Sequence, residues 1–600
     1  MSATLPPGNG RGGARGELLA RVQQHLSVIY PELDAITWGH RLIEAIGGDS
    51  DALSVPQPFV NHWDERDALI ITYGNSVTRE GEAPLQTLRR FLNEHLSGAV
   101  SGVHILPFFP YSSDDGFAVI NYLQVNDALG DWEDIREIAE EFDLMSDLVI
   151  NHASARSGWF ENFKKRVDPG LSYFVEVDPD TDVSMVVRPR PSPLLQTVQT
   201  LDGERTVWCT FGPDQVDLNF ANPQVLWEFV NILGRYLDVG VRTLRMDAVA
   251  FLWKEIGTPC IHLRRTHEII KLLRTLAEFR RPDVLVITET NVPNRDNLTY
   301  FGNANEAHAI YNFSLPPLLV HTMLSGNCRH LKTWMMSMPP AQHGTTYLNF
   351  IASHDGIGLR PAEGLLSDDE LGSMIDALRA YGAEVSMRAG PDGALKPYEV
   401  NISLIDAMAG TAAGQRDRWQ FERFICMHLI MLGLEGIPAI YVHSFLATPN
   451  DHDLFARSGR ARSINRHQWP EDELAERLSD GRSLHARVLR ELSRSLAIRR
   501  RQPAFHPNAT QFTLHLGLEL FAYFRQSTDR SQSIFCVYNV TDRPQVLSLA
   551  DVNLISTDQW IDLLSGREIE ALAGEMTLAP YQGIWLSNRA FGVALPGLRA

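Results

Sequence analysis

Short apolar runs alternate along the middle of this chain with longer stretches whose apolar positions return every third or fourth residue. The first pattern is that of a buried strand, the second that of a helix with one apolar face. ALIITYG (68–74), GVHILPFFP (102–110), DLVIN (147–151), VLVITET (284–290) and TTYLNFIAS (345–353) read as strands. Leu85 to Leu96 and Trp132 to Phe142 read as helices between them. DVGVRTLRMDAVAFLW (238–253) gives a strand ending at Arg245-Met246-Asp247, then a helix-like apolar segment. The most apolar run, Phe424 to Val442, is interrupted by His428, Glu435 and Pro438, and predicts a buried helix followed by a strand. Strands separated by helices of this length imply a parallel sheet, and their number implies an α/β fold closed as a (β/α)8 TIM barrel.

The pattern changes at the margins and in two places between. Residues 1–16 are rich in Gly, Pro and Arg, the composition of a disordered tail. Leu18, Leu19, Val22 and Leu26 recur at helical spacing, so Glu17 to about Ile46 reads as a helical extension, and 47–66 as a linker. The barrel is expected over 67–152, 223–358 and 413–500. Residues 153–222, polar and Pro-rich with short strand patterns (SYFVEV, TVWCTF), predict an inserted B-type subdomain, and 359–412 a second insertion. Over 501–600, FTLHL, LFAYFR, SIFCVYNV and GIWLSN predict a C-terminal antiparallel β domain.

Composition narrows the function. A formal net charge of −19 argues against nucleic acid and anionic membrane surfaces as partners, which call for basic patches. It does not exclude small anions, because a local arginine cluster can reverse the field inside a cleft. The five cysteines, Cys209, Cys260, Cys328, Cys426 and Cys536, lack metal-type spacing and fit buried thiols in a reducing compartment. The first residues have no apolar segment of the kind that heads a signal peptide, and no run is suited to span a membrane; a cytoplasmic location is expected.

Four polar clusters fall where barrel strands end: Asp147 with Asn151-His152, Arg245-Met246-Asp247, Glu289, and His354-Asp355-Gly356. In TIM-barrel enzymes the active site is built on that rim. Arg245 and Asp247, two apart on a strand, share one face, so the guanidinium would keep the carboxylate ionised. Any one cluster alone could be a structural ion pair or a helix cap. Several carboxylates gathered on one rim repel each other, an arrangement expected where they carry chemistry.

In order, the four clusters resemble the signature regions of glycoside hydrolase family 13, the α-amylase superfamily. DDGF (114–117), LGDWEDI (129–135), LPPLL (315–319), SHDGIG (353–358), YEVN (398–401) and INRH (464–467) resemble its sucrose phosphorylase subgroup. ETNVPNRDN (289–297) and the N-terminal extension are most similar to the glucosylglycerate phosphorylases of that subgroup. The resemblance implies that Asp247 is the nucleophile, held by Arg245, and Glu289 the acid/base, its proton affinity raised by Asp247 and Asp355. It implies that Asp355, His152 and His354 bind sugar hydroxyls and that Asp115 and Arg462 grip the far side of the glucose. The reaction implied is retaining phosphorolysis of an α-glucoside, foremost 2-O-α-D-glucosylglycerate. Alternatives are sucrose, glucosylglycerol or sucrose 6-phosphate as substrate, hydrolysis or transglucosylation by the same carboxylates, and a non-catalytic binding protein. No cofactor or metal is expected: Asn151 matches a calcium-binding position of many amylases, but no Asp-rich loop accompanies it.

The sequence departs from sucrose phosphorylases where they carry the acceptor. Phe251 replaces a Tyr, Asn291 a His, and Tyr398-Glu399 a Tyr-Gln pair. A glycerate carboxylate entering a rim with Asp247, Glu289 and Asp355 calls for a compensating cation. The candidates are Arg188, Arg190, Arg295, Arg360 and Lys396, with Glu399 expected to orient one of them.

Overall fold

In a computed structural model, described over residues 10–48, 53–389 and 395–591 except 553, 556–558, 570–573 and 590, the apolar runs close into a barrel. Its strands are β1 (Leu69–Thr72), β2 (Gly102–Ile105), β3 (Asp143–Val149), β4 (Thr243–Asp247), β5 (Leu285–Thr288), β6 (Ala309–Tyr311), β7 (Thr346–Asn349) and β8 (Ile437–Tyr441). They pair in chain order, all parallel, and β8 closes on β1 through Leu69 opposite Ala439. The register sets Arg245 of β4 opposite Asp147 of β3 and Ile287 of β5. Most strand positions are buried on both faces, which explains their continuous apolar runs.

The N-terminal extension is more ordered than its composition suggests. Helix α1 spans Gly10–Ile29 and α2 Ala35–Ala45. Ala14, Leu18, Val22 and Leu26 continue one buried stripe into the Gly-rich part, so apolar packing overrides a composition that predicts disorder up to residue 16. Residues 1–9 of the expected tail lie outside the described residues. Helices α1 and α2 rest on two barrel helices, α3 (Pro223–Asp238) and α4 (Arg264–Arg280).

Between β3 and β4, the chain forms a three-stranded antiparallel sheet from Glu176–Val177, Leu195–Thr200 and Gly203–Trp208, and the strand pair His152–Ser154 with Gln215–Asp217. After β7, Ile357–Gly358, Glu384–Ala389 and Leu395–Asn401 form another small sheet. The C-terminal part is a six-stranded sheet faced by a strand pair, with its own apolar core around Trp560, Val537 and Leu578. Arg525 fastens it to the barrel, donating to the Gly433 carbonyl at 2.8 Å. All five cysteines are buried free thiols. Among the described residues, no helix is long and apolar enough to cross a membrane.

Candidate active site

The strand ends deliver one cavity, which encloses about 710 Å3 counting the part open to solvent. His152, Arg245, Asp247, Glu289, Asn291, His354, Asp355, Tyr398 and Arg462 line it, along with Phe251. A space of this size suits a small polar ligand.

Its centre is a chain of buried charges. Arg245 Nη1 donates to Asp247 Oδ1 at 2.7 Å and also pairs with Asp147. Asp147 is fully buried and in turn accepts from His104 Nε2 at 2.6 Å. The guanidinium therefore cannot swing away from Asp247 without stranding Asp147. Burial pushes the Asp147 carboxyl up, but Arg245 and His104 outweigh it and hold the group below its ordinary range. Asp247 sits above the ordinary carboxylate value because it is buried; Arg245 limits that rise.

Glu289 stands directly after β5. Its Oε2 accepts from the Ala248 amide at 3.1 Å. Ala248 reaches that position through a left-handed backbone, φ +53, rare for a residue with a side chain. Glu289 is pushed up to about 7, chiefly by burial, with the charges of Asp247 and Asp355 adding to it. The sequence reading credited the two carboxylates alone; the dry surroundings are the larger cause. Burial thus raises both neighbouring carboxyls, and their partners differ. The guanidinium in direct contact with Asp247 favours its charged form, whereas Glu289, bonded to the Ala248 amide, takes up its proton near pH 7.

Asp355 lies on the other side of the cavity. Burial raises its proton affinity, but Arg462, Arg466 and Arg245 together bring it below the ordinary value. Arg462 pairs with Asp355 and donates to both oxygens of Glu399, at 2.9 and 2.7 Å. His354 stacks on Phe117, centroids 5.1 Å apart, and is held neutral by burial and the nearby arginines. His152 Nε2 lies 3.0 Å from the Phe117 carbonyl.

Some expected residues go elsewhere. Asp115 is not among those lining the cavity; it pairs with Arg466 and Arg460, while its neighbour Asp114 faces inward. Both aspartates have positive φ, +55 and +47, a tight turn whose direction their spacing in the sequence does not reveal. Glu399 is buried against Arg462, so it braces the side of Asp355 and orients none of the five proposed acceptor cations. Of those five, Arg190 and Arg360 line the cavity. Arg188 donates to the Ser192 carbonyl, and Arg295 and Lys396 are exposed. The apolar segment after Asp247 is a single short turn, Val249–Phe251.

The structure adds residues that the sequence gave little reason to choose. Arg466 lies in the INRH stretch; its Nε donates to the His354 carbonyl at 2.9 Å and its guanidinium holds Asp115. Gln215 comes from the inserted segment and meets His152 at 3.2 Å. Lys254 fills an oxygen cage: Asn151 Oδ1 at 2.8 Å, Asp217 Oδ2 at 2.6 Å and the Phe251 carbonyl at 2.5 Å. An ammonium thus takes the position next to Asn151 at which the resemblance raised a cation.

A guanidinium-paired Asp and a Glu raised to about 7 on the C-terminal rim of a (β/α)8 barrel, with an inserted sheet and a β domain behind, fit a class of sugar-transforming enzymes. Residues 97–357 match the α-amylase catalytic domain, and 514–585 the maltogenic amylase C-terminal domain. A glucosylglycerate phosphorylase of Allomeiothermus silvanus is 43% identical over 95% of this chain and 99% of its own. One from Spirochaeta thermophila is 42% identical over 88% and 90%. Among solved structures, sucrose 6F-phosphate phosphorylase from Thermoanaerobacter thermosaccharolyticum superposes with a TM-score of 0.69 at 23% identity, covering 86% of this chain and 98% of that one. The chain belongs to the α-amylase family, glycoside hydrolase family 13, among its glycoside phosphorylases.

Proposed function

We propose that this protein is a retaining phosphorylase that converts 2-O-α-D-glucosylglycerate and inorganic phosphate into α-D-glucose 1-phosphate and D-glycerate. In the first half-reaction an Asp247 oxygen attacks the anomeric carbon as the bond to the glycerate oxygen breaks. Glu289 gives its proton to that oxygen, and a β-glucosyl ester forms on Asp247. In the second, a phosphate oxygen attacks the same carbon, the ester bond breaks, and Glu289 takes back a proton from the phosphate. Two inversions leave the product α. Asp355, His354 and Arg462 would hold the glucose ring, with Tyr398 and Phe251 toward the leaving group.

The observation that carries this reading is the difference in partners between two adjacent carboxyls, Asp247 bound to the Arg245 guanidinium and Glu289 raised to about 7. It supplies a charged nucleophile and a protonated acid in one cavity at neutral pH. The likeness to two proteins named glucosylglycerate phosphorylase over most of their length favours glycerate over fructose. The test is phosphate-dependent release of glycerate from glucosylglycerate, with the anomer of the fresh product read by NMR. A β-phosphate, or free glucose as the main product in excess phosphate, contradicts the proposal. In the synthetic direction, faster transfer to fructose than to glycerate points to sucrose as the substrate.

A further inference from the structure

Strand β2 carries a histidine among apolar neighbours, in the run Gly102–Ile105. The imidazole of His104 is buried and is not among the residues that line the cavity. Met145 of β3 stands opposite His104, so Asp147, two residues further on, shares its face of the sheet. Arg245 of β4 stands opposite Asp147, and Asp247 lies two residues beyond it. Three adjacent strands thus place His104, Asp147, Arg245 and Asp247 in one line that ends at the reacting carboxylate.

That line holds one shared donor. Arg245 Nη1 donates to Asp147 and also, at 2.7 Å, to Asp247. A stronger claim on this nitrogen by one carboxylate weakens its bond to the other. Asp147 is sealed from solvent, while Asp247 borders the cavity. An unpaired charge costs more where water cannot reach it, so a guanidinium forced to choose stays with Asp147. His104 removes the need to choose. Its Nε2 lies 2.6 Å from the second Asp147 oxygen and, facing a carboxylate, can only donate. His104 Nδ1 meets no partner, so this is the ring's one hydrogen bond among the described residues.

We propose that His104 is a positioning residue for the nucleophile: by satisfying one oxygen of Asp147 it leaves Arg245 free to hold Asp247 in its charged form. This rests on Asp247 as the nucleophile of the reading above, and not on which acceptor the enzyme uses. Without the imidazole the guanidinium turns toward Asp147, and Asp247 loses the cation that favours its charge. Burial and the Asp147 charge already raise the proton affinity of Asp247, so it would then take up a proton at higher pH. The other titratable groups facing Asp247 are His152 after β3, Glu289 after β5, and Tyr122. Asp147 also faces His354 after β7 and Tyr236 of α3, and Arg245 faces Tyr311 of β6. None of these groups is hydrogen-bonded to His104, so a change there reaches Asp247 through Asp147 and Arg245.

The test is the pH dependence of kcat/KM for fluoride release from α-glucosyl fluoride. In that step an Asp247 oxygen bonds to the anomeric carbon as the carbon–fluorine bond breaks, and fluoride leaves with the electron pair. The acid limb of the profile reports the charge on Asp247. His104→Asn, too short to reach Asp147, should move that limb up by about one pH unit or more, a tenfold gain in proton affinity. The rate should return toward wild type at pH values above the shifted limb. His104→Gln, whose amide nitrogen reaches as far as Nε2, should keep the wild-type limb. His104→Phe keeps the ring volume without the donor and should shift the limb as Asn does, should the smaller side chain unsettle the core. An unmoved limb in folded Asn or Phe variants makes His104 a structural core residue and overturns the proposal. A limb moved down means that Asp147 takes the proton in place of Asp247, and equal shifts in the Gln and Asn variants mean that the bond to Asp147 is not the cause; either overturns it. Fluoride release that survives Asp247→Asn refutes the nucleophile itself, a failure visible without any change at His104.

Discussion

At the residue scale the site depends on which of two neighbouring carboxyls holds the proton. Asp247→Asn should fold and bind yet lose turnover by well over a thousandfold, since an amide forms no glucosyl ester; a loss under about tenfold would remove Asp247 as nucleophile. Glu289→Gln should cripple cleavage of glucosylglycerate but act far better on α-glucosyl fluoride, which leaves without a proton. With Glu289 raised to about 7, kcat/KM for cleavage should fall as pH rises through that value. Stability follows the same group. A raised folded-state value stabilises the fold below the unfolded value near 4.5, and this contribution is lost as pH rises through about 7. Glu289→Gln lacks the loss, so relative to wild type it should gain on the order of 3 kcal/mol between pH 4 and pH 8. Denaturant unfolding at both pH values checks this, and a constant difference means that Glu289 titrates normally. The carboxylates could be read from the sequence because each directly follows an apolar strand. Arg466, Gln215 and His104 could not: each meets its partner across a long span of chain, and nothing local marks the meeting.

At the scale of elements, Lys254 links three of them. Its ammonium joins the end of β3 through Asn151, the inserted strand Gln215–Asp217, and the turn after β4 through the Phe251 carbonyl. Asp217 is fully buried and also accepts from the Thr210 amide at 2.8 Å. Lys254→Met would leave that carboxylate without its counter-charge, a change that typically costs about 3–5 kcal/mol. Thermal unfolding should show the loss, and a chelator should leave the wild-type midpoint where it is. A chelator-sensitive wild type, or a variant as stable as its parent, would refute the account. Most elements were legible for a related reason: a strand buried on both faces writes an uninterrupted apolar run, as β1, β2, β5 and β7 do. β6 was not, because Ala309–Tyr311 is too short to stand out between polar loops. The strand Leu195–Thr200 escaped notice as well, since LQTVQT is mostly polar and only partly buried on both faces.

At the scale of the whole molecule, the N-terminal extension is a brace for the two helices that lead into the reacting strands. Helix α3 precedes β4 with Asp247, and α4 precedes β5 with Glu289; α1 and α2 lie across both. Leu18, Val22, Leu26, Leu42 and Ile43 are buried there without remaining exposure. Tyr30 donates to the Phe220 carbonyl at 2.7 Å, and His25 meets Glu268 at 2.7 Å. Gly234 of α3 lets α2 pack closely on it, since a Cβ would lie 2.9 Å from the Ala45 carbonyl oxygen. Among the described residues, none that lines the cavity comes from the extension, so its contribution should be to stability and not to the chemical step. Leu26→Ala removes a side chain from this packed seam and should cost about 2–5 kcal/mol, lowering the unfolding midpoint. Below the transition, kcat and KM for glucosylglycerate should stay within about twofold of wild type, because strands β4 and β5 remain fixed by their own ladder. A variant with an unchanged midpoint would mean that the extension is not part of the folded core. One that stays folded but loses most of its kcat would mean that α1 sets the spacing of Asp247 and Glu289 through α3 and α4, and the extension would then belong to the active site's support.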